Sequence, residues 1–122
     1  MRVTEVNFDG AVPIDGYGPG FFRVGKQVFE GPVLVTVERA TSWGGLDDIA
    51  ALEALAGQVD VIFLGMGADI AHAPLGLRDR LEALGMGVEV MNSPAACRTY
   101  NVLLSEGRRV AAAVLPVGEV LR

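Results

Sequence analysis

The chain has 122 residues, 51% of them hydrophobic and 20% charged, and a formal net charge of −5. At that length a chain buries roughly two-thirds of its unfolded surface, so residues 1–122 are expected to form a single globular domain rather than a disordered segment. The acidic balance argues against a nucleic-acid partner, because the ten basic residues are scattered and the densest pair, Arg108-Arg109, reads as a turn.

Residues 2–8 read as a short, half-exposed strand, with Thr4, Val6 and Phe8 on one face and Val3, Glu5 and Asn7 on the other. Residues 14–20 are too rich in Gly and Pro for regular structure and read as a loop. Residues 21–24 and 27–29 flank Gly25-Lys26, a β-hairpin signal with glycine at the first turn position. Gly31-Pro32 interrupts, and residues 33–37 form a strand by β-branched content.

The periodicity then changes. Leu46, Ile49, Ala50, Leu52, Leu55 and Ala56 have helical spacing, and Asp47 and Asp48 suit the first turn of a helix over 46–56. Residues 59–64 are an apolar run expected of a central strand buried on both faces. A second helix is predicted over 74–84, started by Pro74 and ended by Gly85, followed by a strand over 87–91. Ser93 is the expected N-cap of a third helix, with Pro94 at its first position. On its wheel Ala96, Thr99, Tyr100, Leu103 and Leu104 form the apolar face, with Val102 at the edge. Arg98, Asn101 and Ser105 fall on the opposite ridge, and Cys97 at the border. The last strand is 110–115. This alternation implies βαβ crossovers in the second half and an α/β, three-layer sandwich with an N-terminal β-hairpin annex.

The strand ends and the third helix mark the candidate site. Gly65-Met66-Gly67 follows the central strand, where open α/β sheets receive ligands. It is not a dinucleotide fingerprint: Ile70 occupies the third glycine position, and Ala71-His72-Ala73-Pro74 separates the turn from its helix. No cofactor follows. A lone cysteine excludes a disulfide and a cysteine-based metal cage, and a lone histidine, His72, leaves little for a metal. Cys97 sits one turn into a helix, where the dipole favours a thiolate, but a nucleophile needs a base and nothing brings His72 to it. No catalytic residue is assigned. Arg98 and Asn101, three apart, suit a carboxylate or a partner's backbone, or else brace nearby loops. Asp69 and Glu89 are a weak carboxylate pair, since Glu89 lies within a strand. Trp43, with Phe21 and Phe22, is either core or an aromatic patch. The candidate crevice is therefore Gly65, Gly67, Asp69, Ser93, Cys97, Arg98 and Asn101. Residues 1–9 lack the apolar centre of a signal peptide, and no window approaches the ~20 apolar residues that span a bilayer. A reduced, soluble, cytoplasmic protein is expected in a bacterium.

The runs Glu89-Val90-Met91, Ala95-Ala96-Cys97-Arg98-Thr99-Tyr100-Asn101-Val102-Leu103, Glu106-Gly107-Arg108 and Val110-Ala111-Ala112-Ala113 resemble domain-of-unknown-function family 498. The likeness extends to Ile14-Asp15-Gly16-Tyr17 and the Gly65, Gly67 pair. It implies a three-layer α/β fold with a mixed central sheet, one strand running against the others. Eukaryotic relatives include a mitochondrial complex I assembly factor and an adipogenesis-associated protein. Related sequences often carry threonine where this chain has Met66, which removes a hydroxyl donor from the crevice. The family supplies no catalytic reaction to carry over. Two readings follow. One is a non-enzymatic binding or assembly module holding another protein, such as a respiratory-complex subunit or a membrane-associated assembly intermediate. The other is a small-molecule binder, of an anion or carboxylate, or an enzyme using the crevice. A pocket lined by Asp69, Ser93, Cys97 and Arg98 favours the second, a flat apolar patch the first.

Overall fold

A six-stranded mixed sheet, apolar through its central strands, is covered on both faces. The computed structural model describes residues 5–7, 9–69 and 71–118; the expected positions of Val3, Thr4, Phe8 and Ile70 lie outside the described residues. The large sheet contains β1 (Glu5–Asn7), β5 (Val33–Thr36), β6 (Arg39–Ser42), β7 (Val61–Gly65), β8 (Gly87–Met91) and β9 (Val110–Val114), in the order β1-β6-β5-β9-β7-β8. β7 pairs in parallel with both β8 and β9, the predicted crossovers. β5 runs antiparallel to β9 and to β6, and β6 antiparallel to β1. Two strands, β1 and β5, thus run against the other four, rather than the single reversed strand that the resemblance implied.

A second sheet joins β2 (Ile14–Gly18), β3 (Phe21–Val24) and β4 (Gln27–Glu30). The β3–β4 hairpin turns at Gly25 (φ 57°) and Lys26 (φ 69°), both left-handed, the type I′ geometry whose twist matches the strands. Asp15 supports the strained lysine, its carboxylate accepting the Lys26 N–H at 2.8 Å. Residues 14–18 are a strand rather than a loop. They form an edge strand, which must pair on one side only, and its register shifts between Ile14 and Gly16, so glycine is tolerated there.

Side-chain alternation divides the interior into two layers of core. Val110, Ala112 and Val114 of β9 face one side, with Val33, Val35 and Phe63. Against them lie the helix α3 (Ser93–Ser105) and the inward residues Phe22, Val24 and Phe29 of the small sheet. Ala111, Ala113, Leu34, Ile62 and Leu64 face the other side, under α1 (Ile49–Glu53) and α2 (Leu77–Ala83). The predicted hairpin annex is therefore part of a core layer. Trp43 is buried in the second cluster and its Nε1 donates to the Asp48 carbonyl at 3.0 Å, which settles it as core.

Two helices and one strand differ from expectation by more than a residue or two at their ends. The helix predicted over 46–56 is a 3-10 turn (Gly45–Asp47) and the short α1, broken at Asp48, whose φ of −102° and ψ of 65° are not helical. α2 begins at Leu77 instead of at Pro74, because Gly76 precedes it at φ 84° and a left-handed residue cannot belong to the helix. β6 has no counterpart in the apolar pattern: only Ala40 of its four residues is buried.

Tyr100, fully buried on α3, has a hydroxyl with no hydrogen-bond partner among the described residues. Tyr100→Phe should therefore raise stability by about 1 kcal/mol in urea unfolding, by deleting an unpaired buried polar group. A loss of that size would show that the hydroxyl is paired.

Candidate functional site

β7 and β8 end side by side at Gly65 and Met91, and β9 ends on the other flank of β7. α3 starts two residues after β8, so its first turn lies directly over these ends. The approach is close enough to require glycine. A Cβ on Gly65 would lie 2.8 Å from Ser93 Cα and 2.8 Å from Val114 Cγ1. Gly67 turns the chain at φ +92°.

Ser93 is fully buried and ties three segments together. Its Oγ accepts the Gly67 N–H at 2.9 Å and donates to the Leu115 carbonyl at 2.6 Å. Its own N–H donates to the Gly67 carbonyl at 2.8 Å, and Leu115 N–H to that of Gly65 at 2.9 Å. Ser93 is consequently not the N-cap. Asn92 is: it is extended (φ −70°, ψ 162°) and its Oδ1 accepts the Ala95 N–H at 2.8 Å. Asn caps as well as Ser does, and the serine hydroxyl satisfies two otherwise unpaired backbone groups at the strand ends.

The first turn of α3 is thereby closed to an anion. Ser93 N–H goes to Gly67, Pro94 has none, Ala95 N–H goes to the Asn92 side chain, and Ala96 N–H goes to the Asn92 carbonyl at 3.0 Å. Titration with phosphate or sulfate at tens of millimolar should leave the amide resonances of residues 93–98 unshifted. Saturable shifts there, lost in Arg98→Ala, would show an anion site.

The remaining candidates diverge from this joint. Asp69 and Arg98 are exposed. Cys97 is buried in the core between α3 and the sheets, at 5% exposure. Asn101 faces β2: its Oδ1 accepts the Ile14 N–H at 2.9 Å and its Nδ2 donates to the Ile14 carbonyl at 3.0 Å. The buried face of α3 runs through Ala96, Cys97, Tyr100 and Leu104, while Thr99 and Leu103 are half-buried. Asn101 thus leaves the outward ridge it was assigned to, and Cys97 moves from the border into the core, because the small sheet docks on that flank. An asparagine presents an N–H donor beside a carbonyl acceptor, and so replaces a missing strand partner at the start of β2. That is a use of the residue which polarity alone does not reveal.

Burial pushes the Cys97 thiol up from 9.0 to about 12, and the nearby Arg98 charge offsets this only partly. His72 is exposed in the segment before α2, in a hollow it shares with Arg78 and Asp79. The unfolded thiol ionises near 9 and the folded one near 12, so the contribution of Cys97 to stability is complete below pH 9 and is lost as pH rises towards 12. Tyr100, also raised by burial, adds to the loss at higher pH. Cys97→Ala should flatten the decline above pH 9, and iodoacetamide should leave the folded chain unmodified at neutral pH. Rapid alkylation would overturn the assignment.

Among the described residues no helix is long and apolar enough to cross a membrane, and no group of His, Cys, Asp and Glu could hold a metal ion. The chain is 60% identical over 117 residues to an uncharacterized protein of Rhodobacter capsulatus, across 96% of this chain and 94% of that one. It is 30% identical over 123 residues to NADH dehydrogenase (ubiquinone) 1 alpha subcomplex assembly factor 3 of Danio rerio, across 95% of this chain and 71% of that protein. Its fold is similar to that of a crystal structure described as an outer membrane protein from Bartonella henselae, with a TM-score of 0.80, 32% identity, and coverage of 90% of this chain and 98% of that one. Residues 14–115, from the start of β2 to the residue after β9, match the family described as Protein of unknown function (DUF498/DUF598), and the chain belongs to that family.

Proposed function

We propose that this chain is a non-enzymatic module that holds another protein during assembly of a larger complex, its partner being a respiratory-complex subunit or a membrane-associated assembly intermediate. One observation carries the reading: the likeness to assembly factor 3 runs through 95% of the chain, so it covers the whole domain and not a borrowed motif. The site geometry supports it. The polar groups of Gly65, Gly67 and Ser93 are spent on one another and on Leu115, and the only thiol is buried and protonated at neutral pH. An apolar contact is available instead in the segment before α2, where Leu75 is fully exposed. In a bacterial host the module works in the cytoplasm, at the stage where subunits are joined.

The test is deletion of the gene in its native host, followed by native-gel analysis of membrane NADH dehydrogenase. The expected result is accumulation of partial assemblies, reversed by the wild-type chain and not by Leu75→Asp. Full assembly in the deletion strain would overturn the proposal.

A further inference from the structure

At the opposite end of the sheet, away from Gly65 and Ser93, lies a hollow of about 390 Å³. It opens between the β5–β6 turn, the segment before β7 and the end of α3. That volume falls within the range of small-molecule sites. Its walls are mostly apolar: Val59, Leu104 and Val110 are buried, Val37 is half-buried, and the Gln58 amide donates to the Ala54 carbonyl at 3.1 Å. The Thr36 hydroxyl in the lining is already engaged, accepting the Glu38 and Arg39 N–H groups at 3.3 Å each.

Two arginines border the hollow, and they differ. Arg109 is fully engaged: its Nη2 donates to Asp60 at 2.7 Å and its Nη1 to the Gly57 carbonyl at 3.2 Å. The Asp60 carboxyl is held below the usual range chiefly by that hydrogen bond, with Arg108 adding a smaller pull. Arg108 itself has no ion pair among the described residues. It is held at the rim by its backbone. α3 ends in a Schellman motif, with Gly107 at φ +79°, Gly107 N–H on the Leu104 carbonyl and Arg108 N–H on that of Leu103, both at 3.0 Å. The backbone is fixed there, while the side chain is exposed. Glu38 also lines the hollow.

We propose that this hollow binds a short aliphatic carboxylate, its hydrocarbon chain on Val37, Val59, Leu104 and Val110 and its carboxylate on Arg108. Mostly apolar walls with one guanidinium that has no ion pair among the described residues match an amphipathic acid better than a neutral alkane or a fully polar anion. The inference is independent of the assembly reading, since it concerns the other end of the sheet from Leu75; either can fail while the other stands.

The test is titration of the isotope-labelled chain with hexanoate, with hexan-1-ol as the neutral comparison. The expected result is saturable amide shifts at Val59, Leu104, Gly107 and Val110 in the millimolar range, with weaker binding of the alcohol. Arg108→Ala should weaken hexanoate about tenfold, the scale of one charge-assisted hydrogen bond, and it retains the backbone N–H that closes the helix. Glu38→Gln should tighten hexanoate by removing a like charge. Absence of shifts, equal affinity for the alcohol, wild-type affinity in Arg108→Ala, or weakening by Glu38→Gln would each overturn the proposal.

Discussion

Ser93→Ala should lower stability by about 2–4 kcal/mol in urea unfolding, because it leaves the Gly67 N–H and the Leu115 carbonyl without their partner in a buried joint. The comparison that gives this number meaning is Asn92→Ala. Loss of the cap alone should cost about 1 kcal/mol, since it exposes one donor at a helix end. Ser93→Ala costing no more than Asn92→Ala would show that the hydroxyl is incidental and that the strand ends are held by packing. The two substitutions lie next to each other on the chain and still report on different structures, one on the helix start and one on the junction of three segments.

Phe22→Ala should cost about 3–5 kcal/mol, as expected for removal of a fully buried aromatic side chain from a shared core. Phe22 pairs across the hairpin with Phe29, also fully buried, and both belong to the cluster that includes Tyr100, Val33 and Val114. The unfolding transition should remain single and move as a whole when followed by tryptophan fluorescence, since Trp43 sits in the opposite core layer. A two-step transition, with the Trp43 signal unmoved, would mean that the small sheet is an independently stable appendage after all.

Why some of this was legible in the sequence, and some was not, can be seen residue by residue. The β3–β4 hairpin is local: its aromatic and branched flanks and its Gly25 turn need no information from elsewhere. β7, β8 and α3 were legible for the same reason, through an unbroken apolar run, a helix-starting proline and a regular wheel. β6 was not, because Arg39, Thr41 and Ser42 carry no apolar stripe and become a strand by pairing with β5 and β1. α1 was overestimated because its apolar spacing continues through Asp48, a residue whose backbone the Trp43 ring holds out of the helix. At the candidate site, chain connectivity brings residues 65–67 and 93 to one sheet end. The use of the Ser93 hydroxyl depends on Leu115, which sequence order does not place beside it. Asn101 was assigned to the outer ridge on polarity, and the contact that overrides this assignment, with Ile14, spans most of the chain. The hollow beside Arg108 drew no signal, because its walls come from three segments that are ordinary when read singly.

The place of β9 has a consequence for how the chain is made. Emerging last among the described strands, it lies in the middle of the large sheet, between β5 and β7. During synthesis the sheet therefore exists as two unjoined pieces, β1-β6-β5 and β7-β8, each with an open edge waiting for residues 110–114. Such edges invite mispairing with other nascent chains, so the vulnerable period lasts until residues 110–114 have left the ribosome and paired with both of them. A premature stop before codon 110 leaves a protein cut in two along its centre, with both halves still present in one polypeptide.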